Sequence, residues 1–201
     1  MKILFVTPGY PPDIGGIENV VKELSVRMSQ SGNSVYVLTT SKKEIGMEKV
    51  SELLTVERVR SISPNNSYHL PIGLGKRLRE IRGQFDIIHA HGYHSFPALV
   101  SYLNRGDTPF VISCHYHRNS HKFFRNILLK PYKLLTWNMI NKSRCVFCVS
   151  KAEETLVKED FSPKRTEVIH NGVITPLLGT IEENNEYRIV MLGRLEKYKN
   201  Q

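Results

Sequence analysis

Two histidine pairs and one glycine pair are where this 201-residue chain could do chemistry: His89-x-His91, His115-x-His117 and Gly15-Gly16. On a strand, residues i and i+2 share a face, so each pair would present two imidazoles side by side. That geometry suits zinc, yet no carboxylate or thiolate is evidently arranged to complete a ligand set, and no metal is expected. For any one of these histidines a hydrogen-bonded structural role is the commoner outcome. The glycines close the run Tyr10-Pro11-Pro12-Asp13-Ile14-Gly15-Gly16. Adjacent glycines let the backbone approach a ligand, and a helix starting behind them turns free N–H groups and its positive dipole end toward an anion. A plain turn from strand to helix uses the same residues, and the loop alone leaves both readings open. A dinucleotide-binding turn does not fit: Gly9, Gly15 and Gly16 lack the G-x-G-x-x-G spacing, and the second strand ends in Thr39-Thr40-Ser41 instead of an acid.

Such residues need a scaffold. Short apolar, β-branched runs at 3–7, 34–39, 55–60, 85–90, 109–114, 145–149, 167–169 and 188–192 alternate with segments of helical period. The alternation predicts an α/β fold, a mostly parallel sheet covered by helices. The clearest helix follows Gly15-Gly16, with Ile17, Val20, Val21, Leu24 and Met28 at core spacing and Gly32 placed to end it. Others are predicted near 72–82, 95–103, 122–141 and 152–159, and Pro131 must kink or divide the longest. Both histidine pairs then fall at the carboxyl ends of strands, where open α/β sheets bind their ligands.

With 40% hydrophobic residues the chain can bury one substantial core. Residues 1–174 read as one Rossmann-like domain, and 175–186, with Pro176, Gly179 and an acidic patch, as an exposed linker. Residues 187–201 read as the first strand and loop of a second domain, inside which the chain is expected to break off, because a lone strand cannot bury itself. The apolar run before Pro8 is too short for a signal peptide or a membrane span, so a soluble protein is expected, and an odd number of cysteines fits a reducing cytoplasm. Three cysteines argue against a disulfide framework, and the Cys145-x-x-Cys148 sulfurs would point to opposite faces of a strand.

The formal charge is +9, which calls for an anionic partner. Residues 116–144 hold seven cations (Arg118, Lys122, Arg125, Lys130, Lys133, Lys142, Arg144) and no Asp or Glu, interleaved with Phe123, Phe124, Leu134, Leu135 and Trp137. That composition suits a helix on an anionic membrane surface or against an anionic lipid acceptor. An ordinary core helix with a solvated face has the same composition. No nucleic-acid-binding module is visible, so nucleic acid is not an expected partner.

Taken in order, Tyr10-Pro11-Pro12 with Gly15-Gly16, Asp86-Ile87-Ile88-His89-Ala90-His91, the strand ending at His115, Val149-Ser150, Ile169-His170-Asn171-Gly172-Val173, and Gly193-Arg194-Leu195 with Lys199 resemble the retaining glycosyltransferase family 4 of GT-B fold. The resemblance implies a doubly wound N-terminal domain with helices on both faces. It implies transfer of a hexose from a nucleotide sugar to a hydroxyl acceptor, lipid-linked or in a cell-envelope glycan, with no cofactor. By the same resemblance, His115 holds the donor sugar or acceptor at the reacting centre, and Gly15 and Gly16 line the cleft beside the donor phosphate. Arg194 and Lys199 clamp the diphosphate, and Tyr10, His91 and His117 lie on the acceptor side. The family's carboxylate pair falls beyond residue 201, so this piece is expected to be inactive alone; if the basic stretch 116–144 rests on a membrane, the cytoplasmic protein would be peripheral at the inner face of the cell membrane. A GT-B epimerase or phosphorylase, or a non-catalytic binding module, would keep the fold with another function.

Overall fold

The computed structural model describes residues 1–62, 69–118 and 123–173, with the backbone alone for 123–130. The linker at 175–186, the strand at 187–192, Arg194, Lys199 and Lys122 lie outside the described residues. In chain order the elements are β1 (Lys2–Val6), α1 (Gly16–Gln30), β2 (Ser34–Ser41), β3 (Gly46–Lys49), β4 (Leu54–Ile62), β5 (Leu70–Pro71) and α2 (Leu74–Ile81). There follow β6 (Ile87–His91), α3 (Phe96–Asn104), β7 (Phe110–Ser113), α4 (Phe123–Lys142), β8 (Cys145–Cys148), α5 (Lys151–Asp160) and β9 (Thr166–Val168).

The strands lie in the order β3-β4-β2-β1-β6-β7-β8-β9, with β5 on β4. Pairing is parallel from β4 to β9, and β3 and β5 run antiparallel to β4. From β1 the chain steps outward through β2 and β4. From β6 it steps the other way, so the winding reverses between β1 and β6 and opens a crevice at their carboxyl ends.

Central strands buried on both faces read as unbroken apolar runs, and Leu4, Phe5 and Val6 are all but inaccessible. One face carries Phe5, Val37 and Val56 under α1; the other carries Leu4, Ile88 and Ile112 under α2, α3, α4 and α5. Leu74, Leu78 and Ile81 are the buried stripe of α2, and truncating Leu78 to Ala is expected to cost about 2–5 kcal/mol.

The buried line of α1 is Val21, Ser25 and Ser29, at four-residue spacing, whereas Met28, expected in the core, is exposed. The helix packs on small residues there, and Ser25 Oγ lies 3.2 Å from the Tyr10 hydroxyl. Gly32 follows the helix with φ +82°, the left-handed stop its type predicts. Helix α4 runs unbroken through Pro131, so the division foreseen as one outcome there does not occur. β3 and β5 have no counterpart in the apolar pattern, because β3 is exposed along its length and is made a strand only by pairing with β4.

Candidate active site

The loop between β1 and α1 is held from several directions. Thr7 N–H donates to Leu38 C=O at 3.2 Å, the Thr40 hydroxyl donates to Pro8 C=O, and Arg58 Nη2 donates to Pro11 C=O at 2.8 Å. Gly15 then starts α1 from an extended conformation, with no side chain capping the helix. A Cβ on Gly15 would collide with the Glu18 carboxylate, which folds back over the loop. On Gly16 a Cβ would meet nothing within 4 Å, so none of the described residues explains the glycine. Burial pushes the Glu18 carboxyl up, and nearby Asp13 adds to the shift against a hydrogen bond from Glu18's own N–H. A cavity of about 400 Å³ opens beside the loop, lined by Tyr10, Asp13, Glu18, Lys42, Arg58 and His69 among others. A hollow of about 540 Å³ lies by Met1, Ser34 and Asp86, at the amino ends of the strands and away from the crevice.

Beside that loop β6 lays down a row of imidazoles. His89 and His91 pack next to Phe5, at 5.3 and 5.7 Å between ring centroids, and stack on each other at 4.3 Å. His91 in turn faces His115, just past β7, at 6.2 Å. His89 Nε2 lies 2.9 Å from Ser113 Oγ. His91 is 1% exposed, and neither of its ring nitrogens has a hydrogen-bond partner among the described residues; the buried Nε2 of His115 has none there either. Burial, and then the like-charged neighbours, push these pKa values down: His89 to about 3, His91 well below the usual range, His115 downward. The row is neutral near pH 7, so each ring can accept one hydrogen bond and donate one. Among the described residues no group of three or more His, Cys, Asp or Glu side chains is arranged to hold a metal ion.

His115 has φ +49°, a left-handed backbone that costs a non-glycine residue on the order of 1–3 kcal/mol and persists only where the surroundings enforce it. Helix α5 supplies the surroundings. Glu153, 5% exposed, accepts the Tyr116 N–H at 2.6 Å on Oε1 and the Val149 N–H at 2.6 Å on Oε2. Its own N–H donates to Ser150 Oγ at 3.1 Å, which caps the helix. At the far end, Asp160 accepts from the Tyr116 hydroxyl (2.7 Å), Arg118 Nε (2.9 Å) and Lys133 Nζ (2.8 Å). Burial alone would raise the Asp160 pKa; these hydrogen bonds, that of Lys133 foremost, overcome it and hold it at about 2. His117 donates its N–H to His94 Nε2 at 3.3 Å, and the two rings pack at 4.5 Å.

The structure thus brings His91 and His115 together and places Gly15 and Gly16 at the start of α1. His117 is exposed beside His94. Tyr10 is 6% exposed, its ring lining the cavity and its hydroxyl turned to Ser25. The sequence suggests that the glycine loop and His115 follow neighbouring strands, and here a correction is needed. β6 lies between β1 and β7, which sets them about 10 Å apart at the usual strand spacing, with His91 between. Ser113, His94, Glu153 and Asp160 are not foreseen at all. Only Glu153 has a local signal, the capping-box pattern Ser150-x-x-Glu153.

Among the described side chains of 116–144, two cations are paired with α5: Arg118 with Glu159 (2.5 Å) and Asp160, and Lys133 with Asp160. Leu134 and Leu135 are 78% and 65% exposed beside them.

A family model described as Glycosyltransferase Family 4 matches residues 14–176. The phosphatidylinositol N-acetylglucosaminyltransferase GPI3 subunit of Saccharomyces cerevisiae is 28% identical, over 92% of this chain and 44% of its own length. The chain therefore spans under half of that relative. Among solved structures, the sucrose-phosphate synthase of Thermosynechococcus elongatus superposes with a TM-score of 0.65 at 15% identity, covering 84% of this chain and 47% of its own. HepE of Anabaena, solved in complex with UDP and glucose, does so with a TM-score of 0.55 at 20% identity, over 86% and 45%. At these identities the structures attest the fold.

Proposed function

The chain belongs to glycosyltransferase family 4, and we propose that in its full-length protein it forms the acceptor-side wall of a retaining GT-B enzyme that moves a hexose from a nucleotide sugar to a hydroxyl acceptor. The observation that carries this reading is what meets at the carboxyl ends of β1, β6 and β7, where the winding reverses. On one side is the uncapped start of α1, with open space at Gly16; on the other is a row of neutral imidazoles ending at His115. A donor diphosphate fits the first and the hydroxyls of a sugar fit the second, because a neutral imidazole both accepts and donates where it carries no charge.

In this reading His115 Nε2 binds a hydroxyl of the donor sugar or the acceptor as the glycosidic bond breaks. Gly15 and Gly16 admit the phosphate, and Tyr10, His91 and His117 shape the acceptor side. The leaving nucleoside diphosphate is met by Arg194 and Lys199 of the following domain, with no divalent cofactor. A lipid acceptor is supported by the relative named for phosphatidylinositol and by exposed Leu134 and Leu135 in the same basic segment as exposed Lys142 and Arg144. Among the described residues no helix is long and apolar enough to cross a membrane. Peripheral attachment of 116–144 to the cytoplasmic face of the membrane is the placement we propose.

The test is to express the full-length protein and supply radiolabelled nucleotide sugars, UDP-glucose among them, with membrane extracts. Label should move into the lipid fraction, and the product should keep the donor's anomeric configuration. Inversion, or free sugar epimers in place of transfer, would replace this reading.

A further inference from the structure

We infer that Glu153 is the positioning residue for His115: by accepting the Tyr116 and Val149 backbone N–H groups on its two oxygens, it fixes the left-handed turn that sets the imidazole beside His91. The inference rests on the proposed role of His115. A helix-capping carboxylate has no need of a partner outside its own helix; a capping box is complete with Ser150 Oγ and a bond back to the cap residue. Glu153 instead spends both oxygens on other backbone. Val149 N–H lies at the end of β8, one residue before the cap, and Tyr116 N–H is 37 residues away, immediately after His115. Both bonds are short, at 2.6 Å, and Glu153 is 5% exposed.

The placement matters because of what His115 is. With φ +49° the residue lies in a region that side chains other than glycine adopt only under constraint, and the turn must be held for the ring to stay 6.2 Å from His91. Glu153 binds the very next N–H. The Tyr116 hydroxyl is tied to Asp160 on the same helix, so Tyr116 is fixed at backbone and side chain while His115 Nε2 makes no hydrogen bond to any described residue. A glutamine at 153 keeps the size but has only one oxygen. Its NH₂ would oppose one of the two N–H donors, so one anchor must release.

In the full-length enzyme, on any donor and acceptor that wild type turns over, Glu153→Gln should lower kcat roughly 100-fold, the scale of a misplaced reacting group, while donor KM changes little. Ser150→Ala is the control: it loosens α5 at its cap but leaves both carboxylate contacts, so it should lower the melting temperature with kcat near wild type. Equal kcat loss in Ser150→Ala and Glu153→Gln would reduce Glu153 to a structural residue and overturn the inference. If His115→Ala abolishes turnover and Glu153→Gln does not, the inference falls alone. If neither does, the role of His115 falls with it. Should Glu153→Gln not fold, hydrogen exchange of the wild-type protein decides. The Tyr116 amide should be protected as strongly as those of β7, and exchange at the rate of an open loop would reject the inference.

Discussion

His89 and His91 stack at 4.3 Å with pKa values pushed down by burial, and this makes the fold acid-sensitive above the range of its carboxylates. His69, His94 and His115 are depressed as well, His94 to about 4, each by burial first. The unfolded chain takes up these protons near pH 6.5 and the native state does not, so the stability is complete above that pH and is lost as pH falls toward the native values. Each ring contributes up to about 1.4 kcal/mol per pH unit. Asp160, held at about 2, adds its loss only below about pH 4, and Glu18, raised, opposes the trend with one group. The urea midpoint is expected to drop steeply between pH 7 and pH 5; a flat midpoint across that interval would contradict the buried neutral row.

At Gly16, stability and function should part. A methyl there meets open space within the protein, and alanine is the better helix residue, so Gly16→Ala should leave the melting temperature unchanged or raise it, by as much as about 1 kcal/mol in stability. If a phosphate approaches this backbone, the same change should weaken donor binding, measured by calorimetry on the full-length protein. Unaltered donor affinity would make the glycine pair a plain turn. Gly15→Ala should instead swing the flexible end of Glu18 away from the loop, with little change in the melting temperature.

His115→Ala should lower kcat much more than it raises donor KM, if its contact strengthens as the glycosidic bond breaks. Arg194→Ala and Lys199→Ala should each add about 3–4 kcal/mol to the barrier, the scale of one charge-stabilising donor. Near wild-type turnover in any variant would remove that residue from the site. Activity should persist in EDTA; loss that a divalent ion restores would introduce a metal into the mechanism.

The basic stretch should bind liposomes containing anionic lipid, bind neutral ones poorly, and detach as salt approaches molar concentration, each cation near the surface contributing on the order of 1 kcal/mol. Neutralising Lys142 and Arg144, both exposed, should weaken the attachment without unfolding. Lys133→Gln is a different case. It breaks the pair with Asp160 and should cost on the order of 1 kcal/mol of stability as well. Equal sedimentation with neutral and anionic vesicles would reassign the charge to a soluble anion.

Much of this architecture is legible in the sequence because it depends on local periodicity. Gly15-Gly16 and Gly32 bracket α1, and each apolar run that precedes a helical segment becomes a parallel strand. β3 is not legible, since Gly46-Met47-Glu48-Lys49 has no apolar alternation and is a strand only through its partner. Ile17, Val21 and Leu24 do pack on the core as the period suggests, but Met28 misleads because the last turns of α1 bury Ser25 and Ser29, whose hydroxyls find carbonyls of their own helix. At the site, the histidines announce themselves at strand ends, but what orients them does not. Ser150-x-x-Glu153 shows that a carboxylate starts a helix, and nothing local says that it reaches Tyr116. Likewise the run 116–144 contains no acid, while the acids that neutralise two of its cations wait on α5.

Asp160 is a single acceptor shared by Tyr116, Arg118 and Lys133, which come from the His115 segment and from α4. Energies measured at these three positions will therefore not add: once one donor is deleted, the carboxylate can redistribute its lone pairs and the next deletion costs a different amount. A double-mutant cycle between Lys133 on the surface helix and Tyr116 beside His115 reads out this coupling directly. Its sign tells whether occupying the outer helix tightens or slackens the segment that carries His115.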